Sequence, residues 1–557
     1  MVLRQLNRIP TNKLAENDNS NHGKSLHRVT CQSTWFALAA VILLTVVLRY
    51  GLLDVPLERD EGEYAYAGQL ILQGISPYKE LFSMKLPGIY AAYAGLLALF
   101  GETNTGIHTG LLLINVSTIL LLFFLGKRLI NPVTGVVAAA SFAVLSAGQS
   151  VQGMFANAEH FVILPAVGGL LLLLRALDDD GPWLLFSSGL LMGISFLMKQ
   201  HAAAFIAFGG SYIIIDQLCK RRVNRLSLTL RCALFTIGAI IPYGLACLIF
   251  MLAGVFQEFW FCTVEYARTY ISQVPIDHAW EGFKDRATRI AGSAPLVWTL
   301  AGLGLTALIW DRQARRQAIF IAMFAIFSFL AICPGFYFRP HYFILILPVS
   351  ALLAGIAISA VTNILSNIPY RVVQYVLPLL LAVICLIVSI YQQQDFLFQM
   401  TPVEACRSTY RLNPFPESVQ IGRFIRAHTK DDDRIAVIGS EPQIYFYSGR
   451  RSASKYIYMY PLMEHHDFAL EMQKEMIQEI ESAQPEFLIF VRINTSWLQR
   501  PNSHKFLFDW FETYKAKYYK LVGLVDLLDD KSVYHWMPNI KWPPRSSHWI
   551  AILKRKI

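Results

Sequence analysis

The sequence is short of charge: 16% of its 557 residues are Asp, Glu, Lys or Arg, while 54% are hydrophobic and the mean hydropathy is +0.41. Soluble domains carry about 25% charged residues, so a soluble enzyme of this size is excluded and an integral membrane protein is indicated. Cysteine is scarce as well. The eight cysteines lie mostly inside apolar runs, with no CxxC pair and no Cys/His spacing, so neither a zinc site nor a disulfide scaffold is indicated. Cys406 stands alone after residue 391. Internal repeats and low-complexity tracts are also missing. The 49 Lys+Arg against 39 Asp+Glu leave +10. Membrane proteins gather Lys and Arg in cytoplasmic loops, so this excess does not point to a nucleic-acid partner.

What the chain has is long apolar runs. Residues 1–33 are polar and carry Arg4, Arg8, Lys13, Lys24 and Arg28; the apolar run 34–53 follows. That run is long enough to cross a bilayer. It ends in bulky Arg49-Tyr50-Gly51-Leu52-Leu53 rather than a small-x-small cleavage site, which favours a retained signal anchor with a cytoplasmic N-terminal tail over a cleaved leader. Further runs near 106–126, 132–149, 160–177, 183–199, 201–219, 229–252, 294–310, 316–334, 342–361 and 372–391 bring the expected total to about eleven spans. Residues 86–101 are apolar too but barely long enough. Lys127-Arg128, Lys220-Arg221-Arg222, Arg225 with Arg231, and Arg312 with Arg315-Arg316 share the N-terminal side only if 86–101 does not cross, so it is expected to be an interfacial or re-entrant helix.

This count places everything after about Gln392 outside the cytoplasm. The tail alternates short β-branched or aromatic runs (434–438, 487–491, 521–525) with helical stretches (467–482, 505–518). Such alternation suggests a small α/β domain with a largely parallel sheet. The expected organisation is therefore a cytoplasmic tail at 1–33, a transmembrane domain at 34–391 and an extracytoplasmic α/β domain at 392–557. The C-terminal Lys554-Arg555-Lys556 beside Trp549-Ile550 reads as a frayed end, or as a contact with anionic headgroups.

The residues a bilayer disfavours collect on the outer side. The first outer loop holds Glu58-Arg59-Asp60-Glu61-Gly62-Glu63-Tyr64 and then Lys85. Asn157, Glu159 and His160 open a later span, Lys199, Gln200 and His201 form an outer turn, and Tyr337, Arg339, His341 and Tyr342 close another span pair. Taken singly these are bland: a solvated acidic loop, snorkelling cations, satisfied helix-end histidines. Convergence of separate segments on one membrane face makes them candidates for function. Such a set could carry out group transfer from a lipid-linked phosphate. Lys85, Lys199, Arg339 and His341 could hold the departing phosphate, and a carboxylate, first Asp60 and otherwise Glu61 or Glu159, could take the proton of an acceptor hydroxyl. A divalent metal on Asp60, Glu61, Glu159 and His160 is the weaker use of the same groups, because cations already answer the phosphate, and no cofactor is expected.

At these residues the sequence resembles the membrane glycosyltransferases of the C superfamily (GT-C), in the branch of protein O-mannosyltransferases, aminoarabinose lipid A transferases and their bacterial relatives. The likeness runs through Arg59-Asp60-Glu61-Gly62-Glu63-Tyr64-Ala65-Tyr66-Ala67, Gly74-Ile75-Ser76-Pro77-Tyr78 and Lys85-Leu86-Pro87-Gly88. It continues at Asn157-Ala158-Glu159-His160, Met198-Lys199-Gln200, and Arg339-Pro340-His341-Tyr342 with Leu347-Pro348. In the tail, Gly439-Ser440-Glu441-Pro442-Gln443-Ile444-Tyr445 and Ser448-Gly449-Arg450-Arg451 resemble the extracytoplasmic domain of bacterial members. Leu86 replaces the first proline of the family's turn, and Gln200-His201 replaces smaller residues. The resemblance implies a GT-C fold and inverting sugar transfer from a polyprenyl-phosphate donor to a glycolipid, polysaccharide or protein acceptor at the outer face of the plasma (inner) membrane. It implies Asp60 as base, Glu61 shaping the site, Glu159 as the second acidic position, and Lys85, Lys199, His201, Arg339, His341, Tyr342, Arg450 and Arg451 as substrate-binding residues. Arg450 and Arg451 have an equal reading as surface charges, and Tyr445 reads as packing. Two rival functions compete. A lipid-linked sugar transporter or flippase would want a polar pathway at mid-membrane, where the spans carry almost no charge. A membrane sensor with a ligand-binding tail would leave the outer carboxylates without a role.

Overall fold

A computed structural model of the chain describes residues 33–219, 225–370, 372–528 and 531–556; the N-terminal tail through residue 32 and the Lys220-Arg221-Arg222 cluster lie outside them. Helices occupy the apolar runs. Among the described residues, seven are long and apolar enough to cross a membrane: Ser33–Tyr50, Asn104–Leu129, Ala158–Asp179, Gln200–Cys219, Ser227–Leu252, Pro340–Leu365 and Val372–Tyr391. The other expected spans form shorter apolar helices, Pro132–Leu145, Pro182–Met198 and Ala318–Ile332, or follow a sharp bend, Ile276–Ser293 meeting Pro295–Trp310 at 107°. Pro132, Pro182 and Pro295 each sit in a first helical turn, where the missing N–H costs nothing and the fixed φ suits the helix.

The Pro87–Phe100 helix has 14 residues and is about 21 Å long, against a hydrocarbon core of about 30 Å. It packs beside the end of the Pro182–Met198 helix that leads into Lys199. The Tyr93 hydroxyl donates to the Ala156 carbonyl at 2.7 Å, and a Cβ on Gly88 would come within 2.5 Å of the Leu197 carbonyl oxygen.

The tail folds into one six-stranded sheet, β1 (Arg434–Ile438), β2 (Arg451–Ser452), β3 (Phe487–Arg492), β4 (Tyr519–Leu527), β5 (Ser532–Trp536) and β6 (Trp549–Arg555), in the order β2-β1-β3-β6-β4-β5. The expectation of a largely parallel sheet is corrected. β1 runs parallel to β2 and β3, but β3–β6, β6–β4 and β4–β5 are antiparallel. The short link from β4 to β5 permits only a hairpin, because a parallel pair needs a long crossover. The C-terminal run expected to fray or to meet headgroups is β6, with Ile550 and Ile552 fully buried between β3 and β4.

One apolar cluster runs from this sheet into the segment between Leu57 and Leu97, expected to be the first outer loop. Tyr66 packs on Tyr445 with ring centroids 5.2 Å apart, and Phe82 on Tyr456 at 5.3 Å. Tyr445 is thus a packing residue. The Leu57 N–H donates to the Tyr447 hydroxyl at 2.9 Å and the Phe82 N–H to the Lys455 carbonyl at 2.8 Å. The tail is therefore seated on the outer loop and closes over whatever that loop presents.

Candidate active site

The acidic run from Glu58 to Glu63 starts a helix. Glu58 and Glu61 form a reciprocal capping box at the start of the Arg59–Leu72 helix, satisfying backbone N–H groups that the first turn leaves free. Asp60 sits in that turn, where the helix dipole favours a negative charge. Its Oδ1 accepts from Lys85 Nζ at 2.9 Å and from the Tyr458 hydroxyl at 2.8 Å. Burial pushes the Asp60 carboxyl up, but Lys85, with His341 and Lys199 adding to it, more than reverses this and holds the group well below the usual aspartate range. Asp60 is an anion at neutral pH, and its side chain keeps 25% of its surface open.

Lys85 is fixed from several directions. Beyond Asp60, its Nζ lies 3.3 Å from both Glu63 Oε2 and the Tyr64 hydroxyl and 4.8 Å from the Tyr64 ring centroid. Burial works against its charge, but Asp60 and Glu63 overcome that and keep the ammonium well above its ordinary value.

A second group gathers around Tyr342. Lys199 Nζ lies 4.2 Å from the Tyr342 ring centroid and donates to Glu159 Oε1 at 2.5 Å. The rings of His201 and His341 stand 4.6 and 5.0 Å from Tyr342. His201 Nδ1 is bound to the Ala331 carbonyl at 2.7 Å, which makes it a helix-end anchor. His341 Nδ1 meets Gln152 Oε1 at 3.0 Å. Gln152 belongs to the 146–153 loop, whose Ser146 and Gly153 carbonyls accept from the buried Arg49 guanidinium at 2.7 and 2.9 Å. Arg339 is exposed beside Tyr337, at 5.5 Å, and pairs with no carboxylate among the described residues. An anionic carboxylate, an ammonium shared between acids, and an unpaired guanidinium together suit a substrate carrying both a hydroxyl and a phosphate.

The family model for dolichyl-phosphate-mannose-protein mannosyltransferases matches residues 85–259, the stretch carrying Lys85, Glu159 and Lys199. That match takes in under a third of the chain. Solved structures share its fold. ArnT from Cupriavidus metallidurans bound to undecaprenyl phosphate is 16% identical, with 89% of this chain and 96% of that one covered at a TM-score of 0.54. The archaeal oligosaccharyltransferase AglB from Archaeoglobus fulgidus, in complex with an inhibitory peptide and a dolichol-phosphate, is 12% identical over 91% of this chain and 74% of that one, also at 0.54. No curated protein sequence matches the chain significantly.

Not every residue expected in this site reaches it. Glu61 is fully buried. Its Oε1 lies 2.9 Å from His108 Nε2 and accepts from the Ala156 N–H at 2.5 Å, and its Oε2 caps the helix, so it builds the site and does not face it. Arg450 is buried against Thr429 and paired with Asp431 at 2.9 Å. Arg451 binds Glu80 of the outer loop. Both are corrected to structural pairs that hold the tail together and onto the loop. Among the described residues no three His, Cys, Asp or Glu side chains gather as metal ligands: Glu61 is turned to His108 and Glu159 to Lys199.

The structure also adds residues that the sequence reading left unassigned. Tyr458 comes from the tail and reaches Asp60 directly. Arg59 binds the Ser440 carbonyl, Glu441 Oε1 at 2.8 Å and Asn413 Oδ1 at 3.2 Å, fixing the helix start against the tail.

Proposed function

We propose that the chain is a GT-C glycosyltransferase that transfers a sugar from a polyprenyl-phosphate donor to an acceptor hydroxyl on the extracytoplasmic side of the plasma membrane, inverting the anomeric carbon, with Asp60 as general base. The observation that carries this reading is the partly open Asp60 carboxylate sharing Lys85 with Glu63, beside the Lys199–Tyr342–His341 group. The dolichol-phosphate and undecaprenyl phosphate named with AglB and ArnT support the donor class. The acceptor is a glycolipid, a polysaccharide or a protein.

In this mechanism the acceptor oxygen attacks the anomeric carbon while its proton passes to Asp60. The bond from that carbon to the phosphate oxygen breaks, and the lipid phosphate leaves with the electron pair. Lys85, Lys199, Arg339 and His341 meet the charge that builds on it, at a low-dielectric boundary where such contacts count most. At rest Lys85 keeps Asp60 ionised but weakly basic. An arriving phosphate draws part of the ammonium's charge to itself, and the carboxylate becomes a better proton acceptor. Glu159 contributes by holding Lys199.

The test is Asp60→Asn, which keeps the shape and removes the base. Turnover is expected to fall about a thousandfold with membrane insertion and folding unchanged. Wild-type turnover would remove Asp60 from this role.

A further inference from the structure

Lys85 rests between two carboxylates, and the mechanism above uses one of them. The other, Glu63, lies three residues beyond Asp60 on the same helix and hence on the same face. Its side chain is 1% exposed. Glu63 Oε1 accepts from the Ser83 hydroxyl at 2.5 Å and the Tyr90 hydroxyl at 2.6 Å, and Oε2 is left to Lys85 at 3.3 Å. Ser83 stands just before Lys85 and Tyr90 just after the Pro87 turn, so one buried carboxylate fastens both limbs of the segment that presents the ammonium. The Tyr78 hydroxyl secures the same segment by donating to the Lys85 carbonyl at 2.6 Å.

We propose that Glu63 is a positioning residue that keeps Lys85 charged and in place during transfer, at the moment when Asp60 takes up the acceptor's proton and stops holding it. This rests on the reading of Asp60 as base and Lys85 as phosphate ligand. Protonation of Asp60 removes the nearer of the two negative charges on Lys85 just as the leaving phosphate most needs a cation. Until the charge on the leaving phosphate is complete, Glu63 is the fixed carboxylate that keeps this buried ammonium protonated. Glu63 is not a proton acceptor for substrate, because both its oxygens are engaged and closed to solvent. Its charge serves the reaction only through Lys85.

The groups facing Lys85 are Glu58, Asp60, Glu63 and Tyr64 from the first outer helix, Tyr90 from the next helix, Tyr458 from the tail and His341 from the late loop. Glu63→Gln keeps an oxygen for Ser83 and Tyr90, removes the charge, and replaces the acceptor facing Lys85 with an amide N–H. The experiment measures kcat and KM for a polyprenyl-phosphate sugar against pH, following release of lipid phosphate from the full chain in lipid nanodiscs. E63Q is expected to lower kcat/KM about tenfold at neutral pH and to move the alkaline fall in activity down by about one pH unit, the loss of one close counter-charge. Glu63→Asp, which keeps the charge, is expected to hold that alkaline fall at the wild-type position even where its rate is lower. A purely structural role would lower the rate equally at every pH, and an unmoved alkaline limb in E63Q, or a displaced one in E63D, overturns the proposal. Asp60→Asn separates the two ideas. If D60N stays active, the base reading itself fails; if D60N is inactive while E63Q follows the wild-type profile, only the role of Glu63 fails.

Discussion

Asp60 and Glu61 adjoin in sequence, yet one keeps an open side chain against Lys85 and Tyr458 while the other is sealed against His108 and the Ala156 amide. Access decides their roles. Glu61→Ala strands the Ala156 N–H and the Glu58 N–H in a buried place, which is expected to cost about 3 kcal/mol, read as a lower melting temperature and recovered only in part by Glu61→Gln. The Asp60 carboxyl is held below its unfolded value, so the stability it adds is complete above the ordinary aspartate range, near 3.9, and is lost as pH falls through its folded value. Wild-type melting temperature is therefore expected to drop more steeply in acid than that of D60N, and parallel curves would contradict the Asp60–Lys85 pairing. At this scale much of the site was legible in the sequence. In a chain so poor in charge, Asp60, Lys85, Glu159, Lys199, Arg339 and His341 stand out at once. Tyr458 did not, because it is one of 25 tyrosines and nothing local separates a site hydroxyl from a packing ring. Arg450 and Arg451 misled for the opposite reason: charge shows in a sequence, but the partners that neutralise it do not.

Elements are set against each other by close backbone approach. A Cβ on Gly62 would lie 2.6 Å from both the Cβ and the backbone nitrogen of Gln443, at the start of the tail helix Gln443–Ser448. Only glycine lets the Asp60 helix touch the tail there. Gly62→Ala is expected to cost about 2 kcal/mol and to lower turnover well beyond that of a surface alanine substitution, because it pushes Tyr458 away from Asp60. Thermal melts and turnover on one preparation check both effects. The apolar helices and the strands β1, β3 and β4 were readable from hydropathy and β-branched runs. β5 and β6 were not. β5 is half-buried along its length, and β6 ends in Lys554-Arg555 with Lys556 just beyond it, which hides the fact that Ile550 and Ile552 are core residues.

The whole molecule is needed to build the site. The outer loop supplies Asp60 and Lys85, the ends of three apolar helices supply Glu159, Lys199 and His341, and the tail supplies Tyr458 and the anchors of Arg59. The span count alone could not show this, since it orders the segments along the membrane normal and says nothing about which of them meet. Charge convergence narrowed the choice, and the tail's seat on the outer loop completed it. The most direct test offers the purified full-length chain in lipid nanodiscs a panel of polyprenyl-phosphate sugars with glycolipid, polysaccharide and protein acceptors, and measures free lipid phosphate. The account predicts stoichiometric lipid phosphate and glycosylated acceptor with at least one donor, and neither product from D60N. Transfer at the wild-type rate by D60N, or movement of intact donor across the bilayer with the sugar–phosphate bond unbroken, would contradict it.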